Sequence, residues 1–240
     1  MPKNYFQFKK FKIYQDKCGM KVCTDACIFG AFVAEKVSCS LLPDAGCLEV
    51  GTGTGLLSLM YAQKNPNATI DAVEIEENAY KQAKENFALS NWNDRLKIFH
   101  TDAKKFVSHK KYDLIISNPP FYENELSSKE KNKNIAKHDE ALTLKDLIRI
   151  IKTHLATTGS FAVLLPYHRI KYFESLVREN NFFLKEKLLV RQTPAHNFFR
   201  GILFFSNYKT DLVAKELTIK NKNSYTEKFM ALLKDYYLKL

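Results

Sequence analysis

Disulfide frameworks, zinc sites and membrane spans all lack their raw material in this chain of 240 residues. The five cysteines (Cys18, Cys23, Cys27, Cys39, Cys47) crowd into the first fifth of the sequence, are odd in number and include no C-x-x-C pair. No histidine lies close enough to complete a zinc pattern, so no metal is expected, and the thiols read as reduced groups of a cytoplasmic protein. No apolar run approaches the ~20 residues that cross a bilayer, which removes the membrane as a partner. The first residues, MPKNYFQFKKFK, have no apolar core of the kind a secretory leader carries. Internal repeats are absent as well.

What remains is ordinary globular material with an unusual charge. Hydrophobic residues make up 45% and charged residues 26%, enough to bury a core. The net charge is +11, which points to a polyanionic partner with nucleic acid first. A generally basic cytosolic enzyme is the plainer alternative.

From residue 46 onward, apolar runs alternate with amphipathic stretches. Strands are expected at 47–50, 68–75, 96–99, 112–117, 161–165, 183–191 and 201–208. Helices are expected at 54–63, 76–89, from 102 to about 107, 143–155 and 168–180. This βαβ order predicts an α/β protein with a mainly parallel sheet covered on both faces. The last two strands have no helix between them and should pair antiparallel at one edge. Residues 5–14 alternate as a strand or hairpin, and a helix is expected over 25–37 with Gly30 allowing close packing. A short segment at 216–219 and a helix over 226–239 complete the chain. The organisation is one domain, with a strand–helix extension over 1–40, a core over 45–210 and a strand–helix tail over 211–240. The lysine-rich stretch 124–139 has no apolar periodicity and reads as a loop, either a binding loop or a solvated linker.

Two features carry chemistry. YDLIISNPPFY over 112–122 is a buried strand that runs into two prolines. Neither proline has an N–H to donate, so the ladder stops near Ser117 and leaves Asn118 at the strand's carboxyl end, where open α/β sheets bind ligands. Glu49-Val50-Gly51-Thr52-Gly53-Thr54-Gly55 is a strand, a glycine turn and a helix start. Glycines let backbone approach a ligand, and similar turns bind nicotinamide and flavin cofactors. Here the spacing is G-x-G-x-G and Glu49 lies inside the site. A carboxylate there repels a pyrophosphate and suits an ammonium, which S-adenosylmethionine carries without any phosphate. Glu74 ends the next strand and can accept from ribose hydroxyls. Asp102 follows the third strand and can accept from an adenine amino group. Each acid alone also reads as a helix cap; three beside one glycine turn do not.

EVGTGTG, Glu74, Asp102 and SNPPF, in this order, resemble the class I S-adenosylmethionine-dependent methyltransferases that act on amino groups. That resemblance implies a Rossmann-like, seven-stranded, mostly parallel sheet with an antiparallel last strand. It also implies cofactor contacts at Glu49, Gly51, Thr52, Gly53, Gly55, Glu74 and Asp102. Lys21 and Thr24, with Asp25, match a segment that closes over the cofactor in related enzymes. Over nearly the full length, FKKFKIYQDKCGMKVCTDACIFGAF, KHDEALTLKDL and YTEKFMALLKDYYLKL resemble bacterial tRNA methyltransferases. These modify the exocyclic amine of the adenine just 3′ of the anticodon in a valine tRNA.

In such chemistry the Asn118 side-chain oxygen and the Pro119 carbonyl accept the two N–H groups of the amine, Pro120 stiffens the corner and Phe121 stacks on the base. Lys9, Lys10, Lys12, Lys131, Lys133, Lys137, Arg191 and Arg200 are the candidates for phosphate contact, with His196 beside the two arginines, and His138, after the loop, reads as a general base or as a structural residue. A monomer is expected. The alternatives are a ribosomal-RNA guanine-N2 methyltransferase, a release-factor-type glutamine-N5 methyltransferase and a non-catalytic nucleotide or RNA-binding module. Fewer than fifty residues precede the first core strand, which disfavours the second.

Overall fold

The computed structural model describes residues 4–36, 45–119 and 142–240. Cys39, Pro120, Phe121, Lys131, Lys133, Lys137 and His138, with the stretch 124–139, lie outside the described residues.

An antiparallel hairpin comes first, β1 (Tyr5–Gln7) and β2 (Lys12–Tyr14), followed by α1 (Thr24–Lys36). The alternating section is β3 (Gly46–Val50), α2 (Leu56–Lys64), β4 (Thr69–Glu74), α3 (Glu77–Ala88), β5 (Leu96–His100) and β6 (Tyr112–Ser117). It continues as α4 (Leu144–His154), β7 (Leu155–Pro166), α5 (Ile170–Glu179), β8 (Phe183–Arg191) and β9 (Phe198–Ser206). The chain ends with β10 (Val213–Thr218), the short pair β11 (Lys220–Asn221) and β12 (Ser224–Tyr225), and α6 (Glu227–Leu233).

The central strands read as continuous apolar runs because both faces are covered. Side chains alternate between two cores. Cys47, Leu114, Ile116, Ala162, Leu164 and Phe204 face the side of α1, α2 and α6. Leu48, Ile115, Phe161, Val163, Leu203 and Phe205 face α4 and α5. A Cβ on Gly30 would stand 2.6 Å from Met60 Sδ, so the glycine does let α1 approach α2.

Among the described residues the sheet order is β10-β8-β9-β7-β6-β3-β4-β5, eight strands rather than seven. All neighbours are parallel except β9, which is antiparallel to both β7 and β8. The antiparallel pair therefore does not sit at the edge. The β7–α5–β8 crossover leaves a gap one strand wide, and the short 192–197 connection returns β9 into it. β10 then adds in parallel to the free side of β8.

Three further expectations change. The residues after Asp102 form turns, with Lys105 N donating to Asp102 O at 2.8 Å, not a helix. Gly159 and Ser160 lie within β7, where the register steps from Tyr112–Leu155 to Leu114–Ser160 and bulges the strand. The last helix stops at Leu233 because the chain turns back onto the hairpin. Lys9 N donates to Tyr236 O at 2.8 Å, Phe8 bridges to Tyr237, and the Tyr236 hydroxyl donates to Met60 O at 3.0 Å.

Candidate active site

The strand order reverses between β3 and β6, so their carboxyl ends lie side by side at the place where open α/β sheets hold ligands. Val50 is level with both Ser117 and Val73. The Ser117 hydroxyl donates to Val50 O at 2.8 Å and fixes the two strand ends together.

The glycine turn hangs from β4. Gly51 N and Thr52 N donate to Val73 O at 2.9 and 3.2 Å. Gly51 and Gly53 have φ of 74° and 57°, a region that L side chains seldom adopt, and nothing lies within 4 Å of a Cβ added to either. The turn thus presents bare backbone to open space. Gly53 N donates to Glu74 Oε2 at 2.8 Å, while Ile75 N and Glu76 N donate to Oε1 at 3.0 and 2.9 Å. Three of the carboxylate's four or so acceptor positions are filled, leaving one on Oε2. Glu74 is not the cap of α3; Glu76 fills that role, accepting from Asn78 N and Ala79 N. Asp102 accepts from Lys104 N at 2.9 Å, a turn cap, with the Lys104 ammonium 3.7 Å from its second oxygen.

Glu49 is fully buried. Its Oε2 accepts from the Ser58 amide at 3.0 Å and from the Ser58 hydroxyl. Burial pushes its pKa up to about 7, against the pull of Ser58 and of the neighbouring Thr52 hydroxyl. Among the described residues neither that hydroxyl nor Glu49 Oε1 has a hydrogen-bond partner within normal geometry.

A cleft of about 830 Å³ runs over these strand ends, lined by Gly51, Gly53, Glu74, Asp102, Asn118 and Lys21 among others. A narrower pocket, lined in part by Glu49, Thr52 and Asn118, adjoins it. Asn118 borders both, and its Oδ1 is a buried acceptor with no partner among the described residues. Pro119 is buried beside it. Native proteins rarely leave such an atom unsatisfied, and an orphan acceptor at a ligand cleft marks a group held ready for a donor.

The family model described as "Methyltransferase small domain" matches residues 20–178. The chain belongs to this methyltransferase family. Among curated relatives, one from Christiangramia forsetii is 38% identical over 98% of both chains, and one from Dyadobacter fermentans is 39% identical over 100% of both. Both are named tRNA1(Val) (adenine(37)-N6)-methyltransferase. Among solved structures, a predicted O-methyltransferase from Agrobacterium tumefaciens superposes with TM-score 0.63 at 14% identity, covering 87% of this chain and 95% of its own. P. horikoshii TYW2 in complex with MeSAdo gives 0.60 at 14% identity, covering 85% and 71%. At such identities these two speak for the fold alone.

In this methyltransferase the segment before α1 crosses the cleft as a strap. Cys18, Gly19, Met20 and Lys21 line the cleft, whereas Thr24 starts α1 beside Tyr237 and is not among its lining residues. Sequence patterning missed what fastens the strap. The buried amide of Gln82 accepts from Lys17 N at 3.0 Å, and the Gln15 side chain accepts from Val22 N at 2.8 Å. Asn86, also buried, accepts from Tyr14 N at 2.9 Å and donates to Tyr14 O at 2.9 Å and Thr54 O at 2.8 Å, joining hairpin, glycine turn and α3. Ser58 was missed too. Its position in the first turn of α2 gives no sign that it faces Glu49.

The basic candidates divide. Lys9, Lys10 and Lys12 are exposed on the hairpin; Lys9 donates to Lys234 O at 2.6 Å and Lys12 lies over the Tyr5 ring at 5.3 Å. Arg191 is bound to Thr218 at 2.9 Å and Glu216 at 3.3 Å. Arg200 pairs with Asp25 at 2.8 Å and so ties the start of α1 to β9. Both arginines brace the fold. Cys18, Cys23, Cys27 and Cys47 form no disulfide among the described residues, and burial pushes the Cys23 and Cys27 thiols up to about 12. Among the described residues no cluster of histidine, cysteine and acid could hold a metal, and no helix is long and apolar enough to cross a membrane.

Proposed function

We propose that this methyltransferase moves a methyl group from S-adenosylmethionine to the exocyclic N6 amine of an adenine in tRNA, the adenine 3′ of a valine anticodon. Full-length similarity to relatives that carry that name supports the reading most directly.

The residues fit the cofactor. An orphaned buried carboxylate oxygen on Glu49 suits an ammonium, the bare backbone at Gly51 and Gly53 admits close approach, and the last open position on Glu74 Oε2 suits a ribose hydroxyl. Asp102, one oxygen of which accepts from the Lys104 amide, can offer the other, 3.7 Å from the Lys104 ammonium, to an adenine amino group. When bound, the cofactor supplies an electrophilic methyl on a sulfonium. The chain's own work is orientation. An aryl amine is a poor nucleophile because its lone pair is delocalised into the ring. Asn118 Oδ1 and the Pro119 carbonyl accept its two N–H groups and turn the lone pair out of the ring plane, without removing a proton. A guanine amine or a glutamine amide would fit the same corner. The +11 charge and the tRNA-acting relatives favour the adenine.

The test is transfer of labelled methyl to total tRNA from a strain lacking this protein, followed by nucleoside analysis. Label in N6-methyladenosine is expected; label in guanosine or in protein alone overturns the reading.

Glu49 sets a pH dependence. A carboxyl whose pKa is about 7 in the free protein is neutral below that value and cannot attract an ammonium. The cofactor's α-amino group itself loses its proton above about 8. Cofactor affinity, measured calorimetrically, should therefore peak between these two values and fall on both sides. In Glu49→Gln the acidic limb should vanish. The same raised pKa means that the free protein is stabilised by this group below the ordinary carboxyl range and loses that contribution as pH rises through about 7.

A further inference from the structure

Two segments without a single acidic residue meet at the carboxyl edge of the sheet: residues 167–173, YHRIKYF, and residues 191–201, RQTPAHNFFRG. The first leaves the end of β7, the strand next to β6. Ser117 is level with Val163, so β7 runs three residues past the end of β6 before Tyr167 begins. That is about 10 Å of strand, one inter-strand step of about 5 Å to the side of the Asn118 corner.

Tyr167 and Tyr172 are 46% and 43% exposed there. Single exposed aromatics are common and mean little. These two are placed and backed. The Tyr167 ring leans on Phe198 at 5.8 Å between centroids, and the Arg191 guanidinium covers Phe198 at 5.2 Å. Arg191 is itself clamped by Glu216 and Thr218, so the row Tyr167–Phe198–Arg191 is rigid. The Arg169 guanidinium lies over the Tyr172 ring at 5.2 Å. His168 and Lys171 are exposed between the two tyrosines. Flat rings held in place among cations match unpaired nucleotides: each base offers a π-face and each phosphate a negative charge.

We propose that Tyr167 and Tyr172, with Arg169, His168 and Lys171, form a stacking platform for the unpaired RNA nucleotides adjoining the target base. The inference rests on the RNA reading of the same site and adds the surface that holds the flanking strand.

The test is fluorescence anisotropy with a synthetic tRNA anticodon stem–loop and with the same strand paired into a full duplex. The variants are Tyr167→Ala, Tyr167→Phe, Tyr172→Ala and Lys171→Gln. Both tyrosines are solvent-facing, so the melting temperatures should match the wild type. Tyr167→Ala should weaken stem–loop binding by about 5- to 150-fold, and leave duplex binding and the salt slope unchanged. Tyr167→Phe should bind like the wild type. Lys171→Gln should lower the salt slope by about one. Wild-type affinity in both alanine variants overturns the platform. Equal losses on stem–loop and duplex do so too, and so does a loss in Tyr167→Phe as large as in Tyr167→Ala. Binding is read apart from methylation. A wild-type protein that shows this stacking pattern but methylates no adenine keeps the platform and loses the activity reading. One that methylates adenine with all variants binding alike does the reverse.

Discussion

Asn118→Ala should lower the rate of methyl transfer at saturating cofactor and tRNA by about 100- to 1000-fold, the effect of removing one preorganised polar partner from a reacting group. Affinity for S-adenosylmethionine should change little. Glu49, the glycine turn and Glu74 carry the cofactor contacts proposed above, and none of them hydrogen-bonds to Asn118. Stability should be unchanged or slightly higher in the variant. A buried acceptor with no donor among the described residues costs folding free energy, about 1–3 kcal/mol, which truncation relieves. A residue kept for packing would show the opposite pattern, with lower stability and near-normal turnover. Asn118→Asp keeps an acceptor at the same place and should retain more activity than Asn118→Ala. Single-turnover kinetics, calorimetric cofactor binding and thermal melts on the two variants decide the matter. Full activity in Asn118→Ala would leave the corner a mere strand end, and the amine would then have to be oriented by other groups.

Much of this arrangement was legible in the sequence because it depends on local rules. β6 spans Tyr112–Ser117, the range expected from an apolar run stopped by prolines, and β8 spans Phe183–Arg191 as expected. Strand order was not legible. The apolar pattern of β9 says that both its faces are buried but not between which neighbours, so its insertion between β7 and β8 is a property of connections and not of composition. α3 hid its function for a related reason. ENAYKQAKENFA looks like a solvated helix with a thin apolar stripe, yet Gln82 and Asn86 are buried and hold the strap and the glycine turn. Amides at buried positions read as surface until their partners are seen, and those partners are backbone groups that periodicity cannot reveal. Arg191 and Arg200 show the same limit for charges. Charge and an aromatic neighbourhood suggested phosphate contacts, while Glu216 and Asp25, distant in sequence, bind them within the fold.

Gly55→Ala should destabilise the protein by about 2–5 kcal/mol, the sum of a left-handed backbone strain of roughly 1–2 and an overpacking cost of roughly 1–3. Gly55 has φ of 82° at the start of α2, and an added Cβ would stand 2.5 Å from Phe87 Cε1, with two further ring carbons at 3.2 and 3.3 Å. Phe87 cannot yield easily: it is buried in the core that α1 and α2 share, so the whole ring must move. The other two glycines of the turn provide the contrast. Gly51 and Gly53 also have positive φ, but their added Cβ atoms meet nothing within 4 Å. Alanine there should cost only the backbone strain, about 1–2 kcal/mol, and act mainly on cofactor affinity by standing where the ligand must approach the backbone. One motif thus serves two purposes, with its third glycine making room for the neighbouring helix and its first two making room for the ligand. Urea unfolding of the three alanine variants, with calorimetric cofactor titrations on those that fold, separates the effects. Equal destabilisation in all three would mean that the contact between Gly55 and Phe87 is not what requires glycine at that position.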